Sequence, residues 1–372
     1  MHIFCLQENL KQALNITEKI IGRNLTLPIL NNILLVIENN KLKISSTNLE
    51  VGINCWVVGK IQKKGSVTVP ARLISDFVNN LPNKRIELRV KPGNQLELKC
   101  EKFKANLKGL SADDFPIIPK IKDNSLAKVK GDVFKNALAQ VVDMASVSES
   151  RPEISGVYMY FNKNSIRLAA TDSFRLAEKN LEINSNSSKD NKLGDQSVIV
   201  PQRTVQELIR ILGEKEVSVD IILSGNQILF DLGYSQVISR LIEGQYPDYQ
   251  QIIPDKTATQ IVVNRGELIN NIKIASLFSG KINDIKFLVS PKKSLIEISS
   301  KDADIGENKS KIEGKIEGKE TAIIFNYRYL LDGLNNILSD KIVIGLNDDS
   351  KPVVIRPVGD PSYAYVVMPI KI

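Results

Sequence analysis

The chain is short of the residues from which most catalytic sites are built. Its 372 residues include one histidine, His2, and three cysteines, Cys5, Cys55 and Cys100. Ser-His-Asp, Cys-His and zinc-histidine chemistry each need an imidazole held rigidly. Position 2 is a poor anchor for one, and His2 reads as a surface residue on a first strand. Widely separated cysteines in odd number, with no C-x-x-C spacing, speak against a disulfide framework and against a zinc site. The environment expected from this cysteine usage is reducing and cytoplasmic. Long apolar runs are missing too, since stretches such as Ile33–Ile37 stop far short of the roughly 20 residues of a membrane span. Met1–Gln7 has no basic region ahead of an apolar one, so no signal peptide is expected. Gly314-Lys315 and Gly318-Lys319 lack the spaced glycine and the following Ser/Thr of a phosphate-binding loop. Their local repeat, Ile312 to Lys319, reads as an exposed hairpin. The carboxylate pairs Asp113-Asp114, Asp302/Asp304 and Asp348-Asp349 have no third ligand in view and read as solvated turn acids. No cofactor and no metal is expected.

What is present is ordinary globular material, 42% apolar and 25% charged, long enough for two or three domains. The net charge of +8 is unevenly spread. Residues 1–124 hold 19 basic and 11 acidic groups, residues 125–254 hold 14 and 16, and residues 255–372 hold 17 and 15. A basic first third suits a polyanionic partner, or a contact between unlike ends of the molecule; a solvated lysine-rich face is the plain alternative.

The chain reads best as three copies of one pattern. Leu42-Lys43-Ile44-Ser45-Ser46-Thr47-Asn48, Ile166-Arg167-Leu168-Ala169-Ala170-Thr171-Asp172 and Ile296-Glu297-Ile298-Ser299-Ser300-Lys301-Asp302 share two alternating apolar residues, two small ones and a polar pair. They are spaced by 124 and 130 residues. A second marker, an extended run closing at Pro70, Pro201 and Phe325, precedes helical patterns at 71–81, 202–212 and 326–338, spaced by 131 and 124. Periods this long mean repeated domains. The expected modules are 1–124, 125–254 and 255–372. In the first, Leu10, Ala13, Leu14, Thr17, Ile20 and Ile21 fall at helical spacing, and Leu73, Ile74, Phe77, Val78 and Leu81 repeat the pattern ahead of Pro82. Strand-like stretches at 32–38, 41–45, 52–58, 66–69, 85–90, 95–100 and 104–107 are joined by turn signals such as Asn39-Asn40 and Pro92-Gly93-Asn94. Such short connections demand antiparallel pairing. The fold class is α+β, each module having two helices packed on antiparallel sheets.

Two further segments stand out. Thr171 to Ala177 breaks a strand and offers Phe174, Arg175 and Leu176 as a pocket floor, or as a turn whose Phe174 and Leu176 enter the core. The tail from Tyr363 to Ile372 is a strand followed by apolar residues, which either closes the last sheet or lines a groove.

These residues carry a family resemblance. Thr26 to Asn32, Val69-Pro70-Ala71-Arg72, Ala112 to Pro116, Arg151 to Gly156, Ala170 to Ala177, Val198 to Pro201, Gly244 to Tyr249 and Tyr365 to Ile370, in this order and spacing, resemble the bacterial DNA sliding clamps, the beta subunit of DNA polymerase III. The likeness spans essentially the whole chain. It implies a non-catalytic replication processivity factor. Two chains join head to tail as a homodimer ring of six modules, with helices lining the hole and sheets outside. Duplex DNA is enclosed without sequence readout, so diffuse positive charge suffices. Matching positions implied to face DNA are Arg23, Arg72, Arg151 and Arg203. An apolar groove for short linear motifs, from the replicative polymerase alpha subunit, the clamp loader, and repair and translesion polymerases, is implied at Ile154, Thr171, Phe174, Arg175, Leu176, Pro247, Ile252, Tyr329, Val366, Met368, Pro369 and Ile370. Phe174 stands where a His is common and Gln251 where an Arg can occur, so peptide preference is expected to differ. The expected dimer interface sets Lys99, Lys102, Lys104 and Leu107, on the last strand stretch of module one, against Leu277, Phe278, Asp302, Asp304 and Glu307 of module three. No membrane partner is expected, and localisation is cytoplasmic, at the nucleoid during replication. Two other classes compete. In an enzyme, a pocket near Asp172 and Arg175 would bind an anionic small molecule, and turnover lost on Arg175→Ala would mark it. A structural repeat protein would have no DNA role.

Overall fold

The computed structural model describes residues 1–22, 26–148, 150–183, 195–213 and 217–371. Three successive stretches of chain repeat one order of elements. The first is β1 (His2–Leu6), α1 (Gln7–Thr17), β2 (Asn32–Glu38), β3 (Lys41–Thr47), β4 (Val51–Val57), β5 (Gly59–Lys63), β6 (Ser66–Pro70), α2 (Ala71–Asn79), β7 (Arg85–Lys91), β8 (Gln95–Cys100) and β9 (Phe103–Lys108). The second is β10 (Ala127–Lys130), α3 (Gly131–Val142), β11 (Gly156–Phe161), β12 (Ser165–Thr171), β13 (Arg175–Glu182), β14 (Gln196–Pro201), α4 (Gln202–Leu212), β15 (Ser218–Ser224), β16 (Gln227–Asp231) and β17 (Ser235–Arg240). The third is β18 (Thr259–Asn264), α5 (Arg265–Ser276), β19 (Asp284–Ser290), β20 (Leu295–Asp302), β21 (Gly306–Glu313), β22 (Lys315–Glu317), β23 (Thr321–Asn326), α6 (Tyr327–Asn335), β24 (Lys341–Leu346), β25 (Val353–Pro357) and β26 (Tyr363–Val367).

The α+β reading and the threefold repeat both hold. Each repeat makes two four-strand meanders, and every pairing between the described strands is antiparallel. The first meanders are β6-β2-β3-β4, β14-β11-β12-β13 and β23-β19-β20-β21; the second are β1-β7-β8-β9, β10-β15-β16-β17 and β18-β24-β25-β26. The sheets do not stop where a repeat stops. β4 pairs with β17, giving an eight-stranded sheet, and β13 pairs with β26, giving a nine-stranded one. The chain accordingly divides into two compact units that cut through the second repeat: Met1–Val133 with Gln206–Leu241, and Phe134–Val205 with Ile242–Ile372. The first unit holds the five- and eight-stranded sheets, the second the nine- and four-stranded ones.

Local chemistry explains the elements and their departures from the sequence reading. Leu10, Ala13, Leu14, Thr17, Ile20 and Ile21 are all buried, as their spacing requires. The α-helix nevertheless ends at Thr17 and finishes as a 3₁₀ turn over Glu18–Ile20. The Thr17 hydroxyl donates to the carbonyls of Ala13 and Leu14, a local bond that competes with regular helix. Leu73, placed on the apolar stripe of α2, is instead 52% exposed. The helices α5 and α6 start at asparagines whose side chains accept backbone N–H groups, Asn264 from Glu267 and Asn326 from Arg328. His2 lies on β1 as expected, with Nε2 2.8 Å from Glu87 Oε1 on β7. The hairpin expected over Ile312 to Lys319 is not one. β21 pairs with β20 in one sheet, while β22 pairs with β18 in another. Ile312 and Ile316 are buried on either side of Gly314, where a Cβ would press on the Val263 side chain.

Gly333 shows how tightly α6 packs. A Cβ built there would enter the ring of Tyr365, which is fully buried and donates its hydroxyl to the Tyr329 carbonyl at 2.6 Å. Alanine gains about 1 kcal/mol of helix propensity over glycine, but overpacking a full core costs about 1–3 kcal/mol. Gly333→Ala is therefore expected to lower the urea midpoint. An unchanged or raised midpoint would show that the Tyr365 ring gives way freely.

Candidate functional site

The break between β12 and β13 is a knot of side-chain hydrogen bonds. Thr171 Oγ1 donates to the Arg175 carbonyl at 2.7 Å and accepts the Ser173 N–H. Asp172 Oδ1 accepts the N–H groups of Phe174 and Arg175 at 2.9 and 3.0 Å. Ser173 takes a left-handed φ of 80°, a conformation that Ser adopts only under such constraint. The turn splits its apolar residues. Leu176 is 3% exposed and joins the core; Phe174 is 59% exposed and does not.

Leu176 lies with Ile154, Ala169, Ile199, Tyr246, Tyr249, Val354, Ala364 and Val366 in one apolar cluster of the second unit. Tyr158 stacks on Tyr246 with centroids 4.8 Å apart, and Tyr249 meets Tyr246 edge-on. The Tyr249 hydroxyl donates to Glu178 at 2.7 Å, which satisfies the one polar atom that ring brings inside. Above this floor runs the C-terminal tail. β26 pairs with β13, Val367 opposite Arg175. Beyond it, the Met368 N–H donates to the Phe174 carbonyl at 2.9 Å and the Ile370 N–H to Ile324 of β23 at 2.8 Å. Of the two alternatives for the tail, its strand does take a place in a sheet, between β13 and β25, and Met368, Pro369 and Ile370 beyond it are half-buried.

The rim is aromatic and cationic. Phe174 stacks on Tyr329 with centroids 6.2 Å apart and planes 20° from parallel. Arg175 lies 4.9 Å over the same Tyr329 ring. Its Nε donates to Asp172 at 2.9 Å, and a second nitrogen to Asp332. A half-buried guanidinium is held this way without an orphaned charge. Thr171 and Ile154 are buried at the floor, Pro247 is half-buried, and Ile252 is exposed on the segment that delivers Tyr246 and Tyr249. The sequence reading did not single out Asp332, Tyr158 or Glu178. Asp332 was findable, since it lies three residues after Tyr329 on one helix face. The tyrosine cluster carries no local signal, because Tyr158 and Tyr246 come from distant segments.

The basic positions scatter. Arg23 lies outside the described residues. Arg72 and Arg203 are exposed, each second in its helix, α2 and α4. Arg328 occupies the same place in α6, also exposed. It was missed because β23 ends at Asn326, one residue after the sequence marker at Phe325. Arg151 is bonded to Glu153 at 3.0 Å and to Ser173, in the turn before β13, at 2.9 Å. In the first unit a cavity of about 490 Å³ is lined by Lys11 and Lys19 of the first helical segment and by Arg210.

Only some of the residues expected at an interface lie on end strands. β9 closes the five-stranded sheet and β21 the four-stranded one, each with a single strand neighbour. Lys104 and Leu107 are on β9, but Lys99 is one strand further in, on β8, and Lys102 is in the turn between them. Lys99 lies one strand in from the edge because residues 95–100 form their own strand, paired to β7 and β9. Leu277 is 70% exposed just past α5, Phe278 is half-buried, and Asp302 caps its turn by accepting the N–H groups of Asp304 and Ile305. Glu307 is exposed on β21.

Beside β9, Glu97 gathers three lysines: Lys91 at 2.6 Å, Lys104 at 3.0 Å and Lys99 at 3.4 Å. Hydrogen bonds from Lys91 first, then from Lys104, hold its carboxyl down at about 2. A carboxyl depressed on folding stabilises the fold above its unfolded pKa, near 4.3, and that contribution disappears as pH falls toward 2. The difference in thermal midpoint between the native chain and Glu97→Gln is therefore expected to be largest at pH 5 and above, to shrink as pH falls below 4, and to close only below about pH 2. A difference independent of pH would show that the lysines do not act through the carboxylate.

Threefold meanders backed by helices and joined edge to edge across repeats are the architecture of the DNA clamp fold. The chain belongs to the DNA polymerase III beta subunit family: the models of its N-terminal, central and C-terminal domains match residues 1–119, 128–248 and 250–371. The family is one of non-catalytic subunits. The beta sliding clamp of Staphylococcus aureus strain Mu50 is 30% identical over 367 residues, 96% of each chain. The DNA polymerase sliding clamp of Bacillus subtilis superposes with a TM-score of 0.93 at 28% identity, covering 100% of this chain and 99% of that one. The DNA polymerase III beta subunit of Pseudomonas aeruginosa gives 0.93 and 28%, with 100% of both chains covered. Among the described residues no helix is long and apolar enough to cross a membrane.

Proposed function

We propose that two copies of this chain close head to tail into a ring that encloses duplex DNA and slides on it. The observation that carries this reading is the seam rule. In each repeat, the last strand of the first meander is built to join the last strand of a second meander. β4 finds β17 and β13 finds β26 within the chain; β21 and β9 are the members left over. Head-to-tail association satisfies both and leaves no open seam. Modules at 1–124, 125–254 and 255–372 supply the six units of such a ring. Enclosure provides retention, so contacts to phosphate need only be diffuse. The threefold set Arg72, Arg203 and Arg328, with the lysines of the first helical segment, suits that need; Arg23 and Arg151 are further candidates. The setting is the cytoplasm, at the nucleoid.

The groove is the docking site for short linear motifs of the replicative polymerase alpha subunit, the clamp loader, and repair and translesion polymerases. Its tyrosine-walled floor takes aliphatic and aromatic anchors, and its rim sets the exposed Phe174 beside Arg175. The Phe174–Tyr329 stack replaces a titratable wall with an apolar one.

Two measurements test this. Loaded by a clamp loader onto nicked circular DNA, the chain is expected to co-elute with the DNA in high salt and to be released when the circle is cut. Equal retention on linear DNA would sink enclosure. A fluorescent Gln-Leu-x-Leu-Phe peptide is expected to bind the intact chain and to lose at least tenfold in affinity, about 1.4 kcal/mol, for a folded chain lacking Met368 to Ile372. Peptide affinity unaffected by the deletion would move the docking site elsewhere.

A further inference from the structure

One face of the five-stranded sheet, the one turned away from the core, is a field of cations. Cross-strand register sets its side chains in rows. Lys60, Phe4, Glu87, Lys99 and Lys104 stand opposite one another across β5, β1, β7, β8 and β9. The next row is His2, Arg89, Glu97 and Asn106, and the third is Lys91, Gln95 and Lys108. Arg85, opposite Leu6, stands at the other end. The alternating positions, Ile3, Ile86, Leu88, Leu96 and Leu98 among them, are fully buried on the core face. The rows hold seven cations and two carboxylates, so this face carries +5 of the chain's net +8. The surplus is held in place by a buried group. Lys99 and Lys104 are directly opposite, a like-charge pairing that costs stability. Glu97, 3% exposed in their midst, reaches both, at 3.4 and 3.0 Å, and Lys91 at 2.6 Å. One carboxylate thus keeps three ammonium groups clustered. Lys60, Arg89 and Lys108 are exposed and take no ion pair among the described residues.

We infer that this sheet face is a second contact surface for DNA, which lies across it and meets it through the phosphate backbone without being enclosed. The inference does not depend on the ring reading, because one chain carries the whole face. Breadth and chemistry choose the partner. Five strands about 4.8 Å apart spread the field over about 19 Å, and duplex DNA brings one negative charge per about 1.7 Å of its axis. An acidic peptide is held by seats for its side chains as well as by charge. The phenyl ring on this face, Phe4, is already covered by the Arg85 guanidinium, 4.1 Å from its centroid. Ammonium groups on flexible stems suit phosphates and read no sequence. Arg72, Arg203 and Arg328 lie on helices and not on this sheet, so the two sets of cations can be separated by mutation. Of the readings open for the basic first third of the chain, the polyanion partner is the one this face supports.

Covalently closed circles test the face, since a closed ring cannot thread them unaided. The native full-length chain, with no loader, is mixed with a single-stranded circle and with a relaxed duplex circle at low salt. Binding is expected at about 50 mM salt and is expected to disappear by about 200 mM. Lys60→Gln/Arg89→Gln/Lys108→Gln is expected to weaken it at least tenfold. The same variant is expected to flatten the slope of log affinity against log salt by about 2.7 on the duplex and about 2.1 on the single strand. Lys41→Gln/Lys163→Gln/Lys256→Gln removes equal charge at exposed positions elsewhere and is expected to bind as the native chain does. Thermal midpoints check that both variants are folded. The circle bound more tightly by the native chain, and lost by the first variant alone, tells which form of DNA the face serves. Equal losses in the two variants would reduce the effect to net charge and overturn the inference. So would the absence of binding by the native chain, or complexes that persist in high salt, which mark enclosure. Tighter binding of polyglutamate than of an oligonucleotide of equal charge would reassign the face to acidic protein segments.

Discussion

The structure depends on main-chain hydrogen bonding at sheet edges. A meander presents a row of unpaired N–H and C=O groups on its last strand, and an exposed row is both an energetic cost and an invitation to wrong partners. Here the same geometric answer is used twice: a last strand of one meander receives the last strand of another. The repeats of sequence are therefore not the compact units of structure. The second repeat gives half of itself to a sheet with the first and half to a sheet with the third, as β17 on β4 and β26 on β13 show.

One of those seams brings the candidate groove residues together. Where β26 lies on β13, the turn before β13 and the tail after β26 are brought side by side, and the tyrosines of a separate segment fill the space beneath. Several of its polar members are held: Arg175 by Asp172 and Asp332, Tyr249 by Glu178, Tyr365 by the Tyr329 carbonyl. The apolar residues gathered there are held by main-chain pairing as well as by side-chain packing.

Much of this was legible in the sequence, for physical reasons that also mark where legibility ends. Period-two and period-3.6 patterns located α4 to the residue and most strands, because burial on one face enforces them. The threefold markers gave the repeat. The boundaries of α1 failed because a hydroxyl–carbonyl bond at Thr17 has no hydrophobic signature. The Ile312–Lys319 segment failed because two strands in different sheets look like one hairpin until their partners are known. The groove residues of the Thr171–Leu176 turn and the tail came from motif likeness, and the structure brings them together. Asp332 was within reach of helical spacing from Tyr329, whereas the Tyr158–Tyr246 stack needed three-dimensional contacts. Arg328 was hidden by a one-residue offset at the end of β23.

The tail has a thermodynamic consequence. Two backbone bonds fasten it, one to the turn before β13 and one to β23, so order in residues 368–371 and the form of the candidate groove are coupled. Any molecule that occupies the groove only when the tail is fastened shifts the fastening equilibrium by mass action. At a free concentration one hundred times its dissociation constant it adds about 2.7 kcal/mol to the fastened state. Occupancy and local stability are then one quantity, and traffic on the groove is traffic in how firmly the end of the chain is held.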